Sequence, residues 1–219
     1  MLHTTETAGG LVGRGSAGQL PLHPLLTPLL PWSGGLRRGA TVTAVGAMSL
    51  VLILLGAATA CGGYAAAIGL PQLGALAAIE HDVCLERLAL VPYPGPAWPD
   101  VVAAVLDGVD MVVVNPSCDV PVTIARGLAA RARQRSAVLV CTSSSWPGAD
   151  LGLTAVGHHW RGLGQGRGRL RGHEMIIRAA GRGAATRPRE ITVPVPLPDP
   201  STLPASGHSR GGLDTALTA

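Results

Sequence analysis

From Gly39 to Ile79 the chain carries no charged residue. So long an uncharged stretch has two physical destinations, a membrane or the covered interior of a fold. Arg37 and Arg38 precede it, and Val51-Leu52-Ile53-Leu54-Leu55 lies within it, an arrangement that superficially resembles a signal peptide or a spanning helix. The run Ala58-Thr59-Ala60-Cys61-Gly62 even has some likeness to a lipoprotein cleavage site, which leaves an exported protein attached at Cys61 as a lesser reading. The dense apolar part, however, runs only from Met48 to Ala60. That is short of the ~20 residues a spanning helix needs. It also begins too far from Met1 for an ordinary secretory signal. Gly62-Gly63 then break it, and a strand-like run follows. The stretch therefore reads as the buried centre of an α/β fold.

The pattern on either side agrees. Residues 41–45, 64–70, 87–91, 110–114 and 137–141 are short apolar or β-branched runs with strand character. Between them lie helical segments at 49–60, 71–81, 100–106 and 122–135. Pro71 fits the first turn of the second helix. In the fourth, Ile124, Leu128 and Ala132 make one apolar stripe, with Arg126, Arg131, Arg133 and Arg135 off it. Single helices between strands imply parallel pairing with right-handed crossovers. Continuous apolar strands imply helices on both faces of the sheet. After Ser143 the pattern changes: residues 151–156, 169–178 and 191–195 are strand-like with no helix between them. The expected fold class is α/β, a mostly parallel sheet flanked by helices, with an antiparallel C-terminal strand extension. Residues 1–19 read as a disordered tail, 20–197 as one domain and 198–219 as a flexible tail. At residues 20–32 leucines alternate with prolines, which prevent a long helix and predict a short helical turn or an extended strap laid on the core.

Composition narrows the chemistry. At 219 residues the chain has the length of one domain with tails. Its 47% hydrophobic and 14% charged content excludes a fully disordered chain. All 17 basic residues are Arg, so no lysine is present to act as a P-loop cation, Schiff-base nucleophile or general base. The net charge of +4 is uneven, with eight Arg and two Glu between Arg161 and Glu190. Cys61, Cys84, Cys118 and Cys141 are widely spaced, which suits neither a zinc site nor a disulfide framework. Three of them sit in or beside apolar runs and read as small core residues, and the set suits a protein in the reducing cytoplasm.

Candidate sites fall at strand ends, where ligands bind in sheets of this kind. After the first strand, Gly46 and Ser49 occupy positions of a phosphate-binding loop, but its second glycine and lysine are missing. After the fourth strand, Asn115 stands where a Walker B acid would orient Mg²⁺, and an amide is a poor Mg²⁺ ligand. The three residues read as a degenerate, non-functional nucleotide site, with no cofactor, no metal and no catalytic residue. His158, His159 and His173 lack metal-ligand spacing and read as exposed strand-end histidines. Ser143-Ser144-Ser145 lacks a nucleophile elbow and reads as a polar turn. Cys118, beside Asp119, reads as an inert thiol. Arg161, Arg167, Arg169 and Arg171, set among glycines, allow three readings: a basic loop tracking a DNA backbone, a protein-docking surface, or a hairpin with solvated arginines.

Several stretches occur in an order that carries a family resemblance. They begin with Leu20-Pro21-Leu22-His23-Pro24 and Leu36-Arg37-Arg38-Gly39, then Ala67-Ile68-Gly69-Leu70-Pro71-Gln72-Leu73-Gly74. The most distinctive is Leu85-Glu86-Arg87-Leu88-Ala89-Leu90-Val91-Pro92, with Pro94-Gly95 and Trp98-Pro99. Ala104-Val105-Leu106-Asp107-Gly108-Val109-Asp110, Leu128-Ala129-Ala130-Arg131-Ala132-Arg133, Trp146-Pro147-Gly148 and Trp160-Arg161-Gly162-Leu163-Gly164 follow. From about Leu20 to Pro198 the chain resembles the RecA-fold accessory proteins of bacterial mutagenic translesion synthesis, of the ImuA-prime type. The resemblance implies a RecA-like domain and a non-catalytic role in the DNA-damage (SOS) response. It implies action through a polymerase-like adaptor and an error-prone DNA polymerase; DNA contact is a reading of the arginine run alone, and the short apolar run argues against a membrane partner. A RecA-like nucleotide-binding DNA-repair regulator is the alternative reading.

Overall fold

The computed structural model describes residues 18–161 and 172–196. Eight strands form one mixed sheet. In chain order they are β3 (Thr41–Val45), β4 (Ala65–Ile68), β5 (Leu88–Val91), β6 (Met111–Val114), β7 (Val138–Cys141), β8 (Leu151–Arg161), β9 (Gly172–Gly181) and β10 (Arg189–Val195). A separate antiparallel pair, β1 (Gln19–Pro21) with β2 (Gly35–Arg37), precedes them. Across the large sheet the order is β10-β9-β8-β3-β7-β6-β4-β5. The six strands from β8 to β5 pair in parallel, while β8, β9 and β10 pair antiparallel. The expected mostly parallel sheet with an antiparallel extension is therefore present.

The helices are α1 (Met48–Ala60), α2 (Ala75–Ile79), α3 (Trp98–Val105) and α4 (Val122–Arg135). Alternate residues of the central strands serve two cores. Met111 and Val113 face the one that contains α1, whereas Val112 and Val114 face the one that contains α3 and α4. Both faces are covered, so an apolar side chain is required at every position of these strands.

Helix α1 is apolar all round because it is covered all round. Leu50 through Leu55 are all buried. The sheet lies on one side of the helix. Leu20, Leu22, Leu26 and Leu29 of the N-terminal strap, with Leu70, Leu73 and Ala78, belong to the same core. The strap itself is β1 followed by a 3-10 helix at Pro24–Leu29. It reaches the far edge of the sheet, where the Arg189 guanidinium of β10 donates to the Pro28 carbonyl at 3.2 Å. At Gly56 a Cβ would lie 2.1 Å from the His81 carbonyl oxygen, so the glycine lets the chain after α2 cross directly over α1. A cut before Cys61 would remove β3 and α1, the centre of both sheet and core.

Three elements differ most from the sequence reading. The second helix spans Ala75–Ile79 rather than 71–81. Residues 70–73 close a turn, with the Leu73 N–H donating to the Leu70 carbonyl, and Gly74 is extended at the N-cap. Strand β8 runs to Arg161 rather than 156, past an irregularity between Ala155 and Gly157 that shifts the pairing by one residue. Strand β9 starts at Gly172 and continues to Gly181, displaced from the expected 169–178. Of the cysteines, only Cys141 is a core residue, while Cys61 and Cys118 are exposed and Cys84 is intermediate.

Candidate functional site

A cleft opens at the C-terminal ends of the central parallel strands, the position at which such sheets bind ligands. Gly46 and Met48 border it after β3, Leu70 and Gln72 after β4, Asn115 after β6 and Thr142 after β7. Gly46 turns the chain from β3 into α1 with φ at 96°. A Cβ at that position would lie 2.4 Å from the Ala155 carbonyl oxygen of β8. Passage of the neighbouring strand is therefore reason enough for the glycine.

Asn115 acts as a clamp. Its Nδ2 donates to the Gly69 carbonyl at 3.1 Å, and its Oδ1 accepts the Thr142 hydroxyl at 2.8 Å. One amide thus ties the ends of β4, β6 and β7. A carboxylate there has no donor for Gly69, so the clamp requires Asn. Sequence reasoning placed Gly46 and Asn115 at one site, and the cleft brings them together. Ser49, the second residue of α1, is half-buried and does not line the cleft. Thr142 and Gly69 were missed, although Thr142 directly follows a strand end and so satisfies the rule that located Asn115.

The cleft measures ≈ 110 Å³, and none of the residues lining it carries an ionisable side chain. Pockets for small organic ligands are commonly ~300–1,000 Å³. The charged groups of the central sheet lie at the opposite ends of the strands. There Arg38 meets Asp110 at 2.6 Å, and Asp110 Oδ2 accepts the Tyr64 backbone N–H at 2.9 Å. Asp150 Oδ2 accepts the Thr41 backbone N–H at 2.9 Å. On the outer surface, Arg131 and Arg135 of α4 bind Asp107 at the end of α3. The hydrogen bond from Arg131 holds that carboxyl below its usual range.

The other candidates separate cleanly. Ser143 Oγ and Ser145 Oγ are 2.9 Å apart in a turn, each serving as the other's partner. Burial pushes the Cys141 thiol up to about 12, which leaves it protonated and unreactive near neutrality. Cys118 is exposed. Trp98 and Trp146, from separate sequence motifs, meet edge to face with centroids 6.4 Å apart in the α3–α4 core. Their role is packing.

At the far end of the β8–β9 hairpin, three rings associate. Trp160 stacks on His173 at 3.9 Å with 8° between the planes, and His158 Nδ1 lies 2.8 Å from His173 Nε2. Burial, then the charge of His158, holds His173 below the usual imidazole range. Among the described residues no group of three or more His, Cys, Asp or Glu is placed to hold a metal ion. Of the arginine candidates, Arg161 ends β8. Arg167, Arg169 and Arg171 lie outside the described residues, as does the side chain of Arg161. Among the described residues no helix is long and apolar enough to cross a membrane.

Two comparisons with known proteins bear on this arrangement. The chain is 38% identical over 145 residues to a Mycobacterium tuberculosis (strain ATCC 25618 / H37Rv) protein named uncharacterized protein Rv3395c, covering 63% of this chain and 71% of that one. Residues 28–148 match the MT3502 N-terminal domain family. That span is more than half of the sequence and contains the whole cleft, from Gly46 to Asn115 and Thr142. It stops just before β8. The chain belongs to the MT3502 N-terminal domain family.

Proposed function

We propose that the protein is a RecA-like, non-catalytic accessory factor of DNA-damage-induced translesion synthesis and mutagenesis, working in the cytoplasm. It acts by binding a polymerase-like adaptor and, through it, an error-prone DNA polymerase. The observation that carries the non-catalytic part of this reading is the Asn115 clamp. At the Walker B position the side chain is already hydrogen-bonded at both ends. It is therefore engaged in holding strands, with no carboxylate for a metal ion. The uncharged lining of the cleft supports the same conclusion, since a triphosphate needs cations or many convergent donors. The ordered motifs from Leu20 to Trp160 support the assignment to mutagenesis.

The nucleotide-binding reading has one supporting observation. The first turn of α1 borders the cleft, and its N-cap, Ala47, contributes no side-chain hydrogen bond. A genetic test separates the two. Deleting the gene should lower the frequency of mutations induced by DNA damage, and wild-type protein and Ser49→Ala should restore it equally. Unchanged induced mutagenesis on deletion would refute the accessory role. Restoration by wild type alone, with saturable ATP binding lost in Ser49→Ala, would establish the nucleotide-dependent regulator instead.

A further inference from the structure

Near the last described pairs of β8 and β9 lies a cluster of rings outside both hydrophobic cores. Trp160 and His173 face each other across the strand pair in register, and His158 lies two residues before Trp160 on the same face. The indole and the His173 imidazole stack nearly parallel, with 8° between their planes. His173 also hydrogen-bonds His158. The indole is thus held in place by stacking, yet it remains 55% exposed. An exposed tryptophan costs solvation, and it is fixed here as if to receive another planar group.

The charge of the connecting sequence favours an anionic occupant. The sequence joining the two strands, residues 161–171, contains four arginines and no acid. Flat, sequence-tolerant stacking surfaces beside dispersed positive charge are the means by which proteins hold single strands, whose bases are free to stack. Duplex DNA keeps its bases stacked internally and offers such a platform only phosphate. The two histidine nitrogens, 2.8 Å apart, already bond each other.

We propose that Trp160, His173 and His158 form a base-stacking platform for single-stranded nucleic acid at the paired ends of β8 and β9. The three residues lie outside the family match at 28–148 and do not line the Asn115 cleft. This inference goes beyond the adaptor-binding function and does not depend on it.

The test is fluorescence anisotropy of labelled oligo-dT, oligo-rU and a DNA duplex with the full-length protein. Trp160→Ala, Trp160→Phe and His173→Ala are compared with wild type, and each variant's fold is checked by circular dichroism. Single strands should bind more tightly than duplex. Trp160→Ala should weaken single-strand binding about tenfold, and Trp160→Phe should retain most of it. Affinity should fall as salt rises from about 50 to 200 mM, since backbone contacts release counterions. The relative affinity of the two oligonucleotides tells DNA from RNA. Absence of single-strand binding would overturn the platform. So would equal binding of duplex, or binding that folded Trp160→Ala leaves intact. If Trp160→Ala does not fold, His173→Ala decides by the same criteria. An adaptor complex formed equally by wild type and Trp160→Ala would leave the two conclusions independent.

Discussion

Asn115 shows how one amide can make a site structural. Replacing it with Asp keeps the volume but sets a carboxylate oxygen against the Gly69 carbonyl, now 3.1 Å from the amide nitrogen. Leaving a partly buried acceptor without its donor costs about 1–3 kcal/mol. Asn115→Asp should therefore lower stability by about that amount in urea denaturation, with no gain in Mg²⁺-dependent ATP binding. A neutral substitution that creates such binding would contradict the clamp. The cysteines give a second check at this scale. A thiol reagent at neutral pH should modify exposed Cys61 and Cys118 in the native protein, and Cys141 only after unfolding. His173 gives a third. Its folded pKa is lowered, so the unfolded chain takes up the proton first as pH falls. Its contribution to stability is complete above about pH 6.5 and is lost as pH drops below that value. In NMR titration it should protonate below the usual imidazole range, and His158→Ala should move it upward. Titration above that range would contradict the stacked geometry.

Among the elements, α1 explains the charge-free stretch with which the sequence is marked. Its sequence was legible because thirteen residues without charge, broken by glycines, fit a core helix and nothing longer. Leu54, fully buried, has no space to relax into. Leu54→Ala should cost about 2–5 kcal/mol, measured by thermal or denaturant unfolding. A loss below about 1 kcal/mol would mean that the strap and α2 do not enclose the helix as described. Strand order was legible only in part. Single-helix crossovers announce parallel strands, but the order across the sheet depends on long-range pairing, such as β3 between β7 and β8, which no local pattern encodes. The length of β8 was hidden by Gly157, which interrupts its alternation at the irregularity after Ala155. Helix α2 was overestimated because Pro71 suits a first turn, whereas the chain makes a tight turn there and Gly74 caps the helix instead.

At the scale of the whole molecule, charge and chemistry are separated. The ends of the parallel strands that could receive a ligand carry a small uncharged cleft, and the ion pairs of the central sheet lie at the opposite ends. Gly46 and Asn115 could be read from strand-end positions, but their partners could not: Ala155 and Gly69 act through backbone oxygens, which have no sequence signature. The Trp160–His173 stack was invisible for the same reason, since its two residues meet only through strand register. The proposed function places the work of such a molecule on its surfaces. The measurement that tests this most directly is co-purification of the full-length protein with the polymerase-like adaptor from the same genome. The account predicts a stable complex with the full-length protein. A folded full-length protein that forms no complex would contradict it.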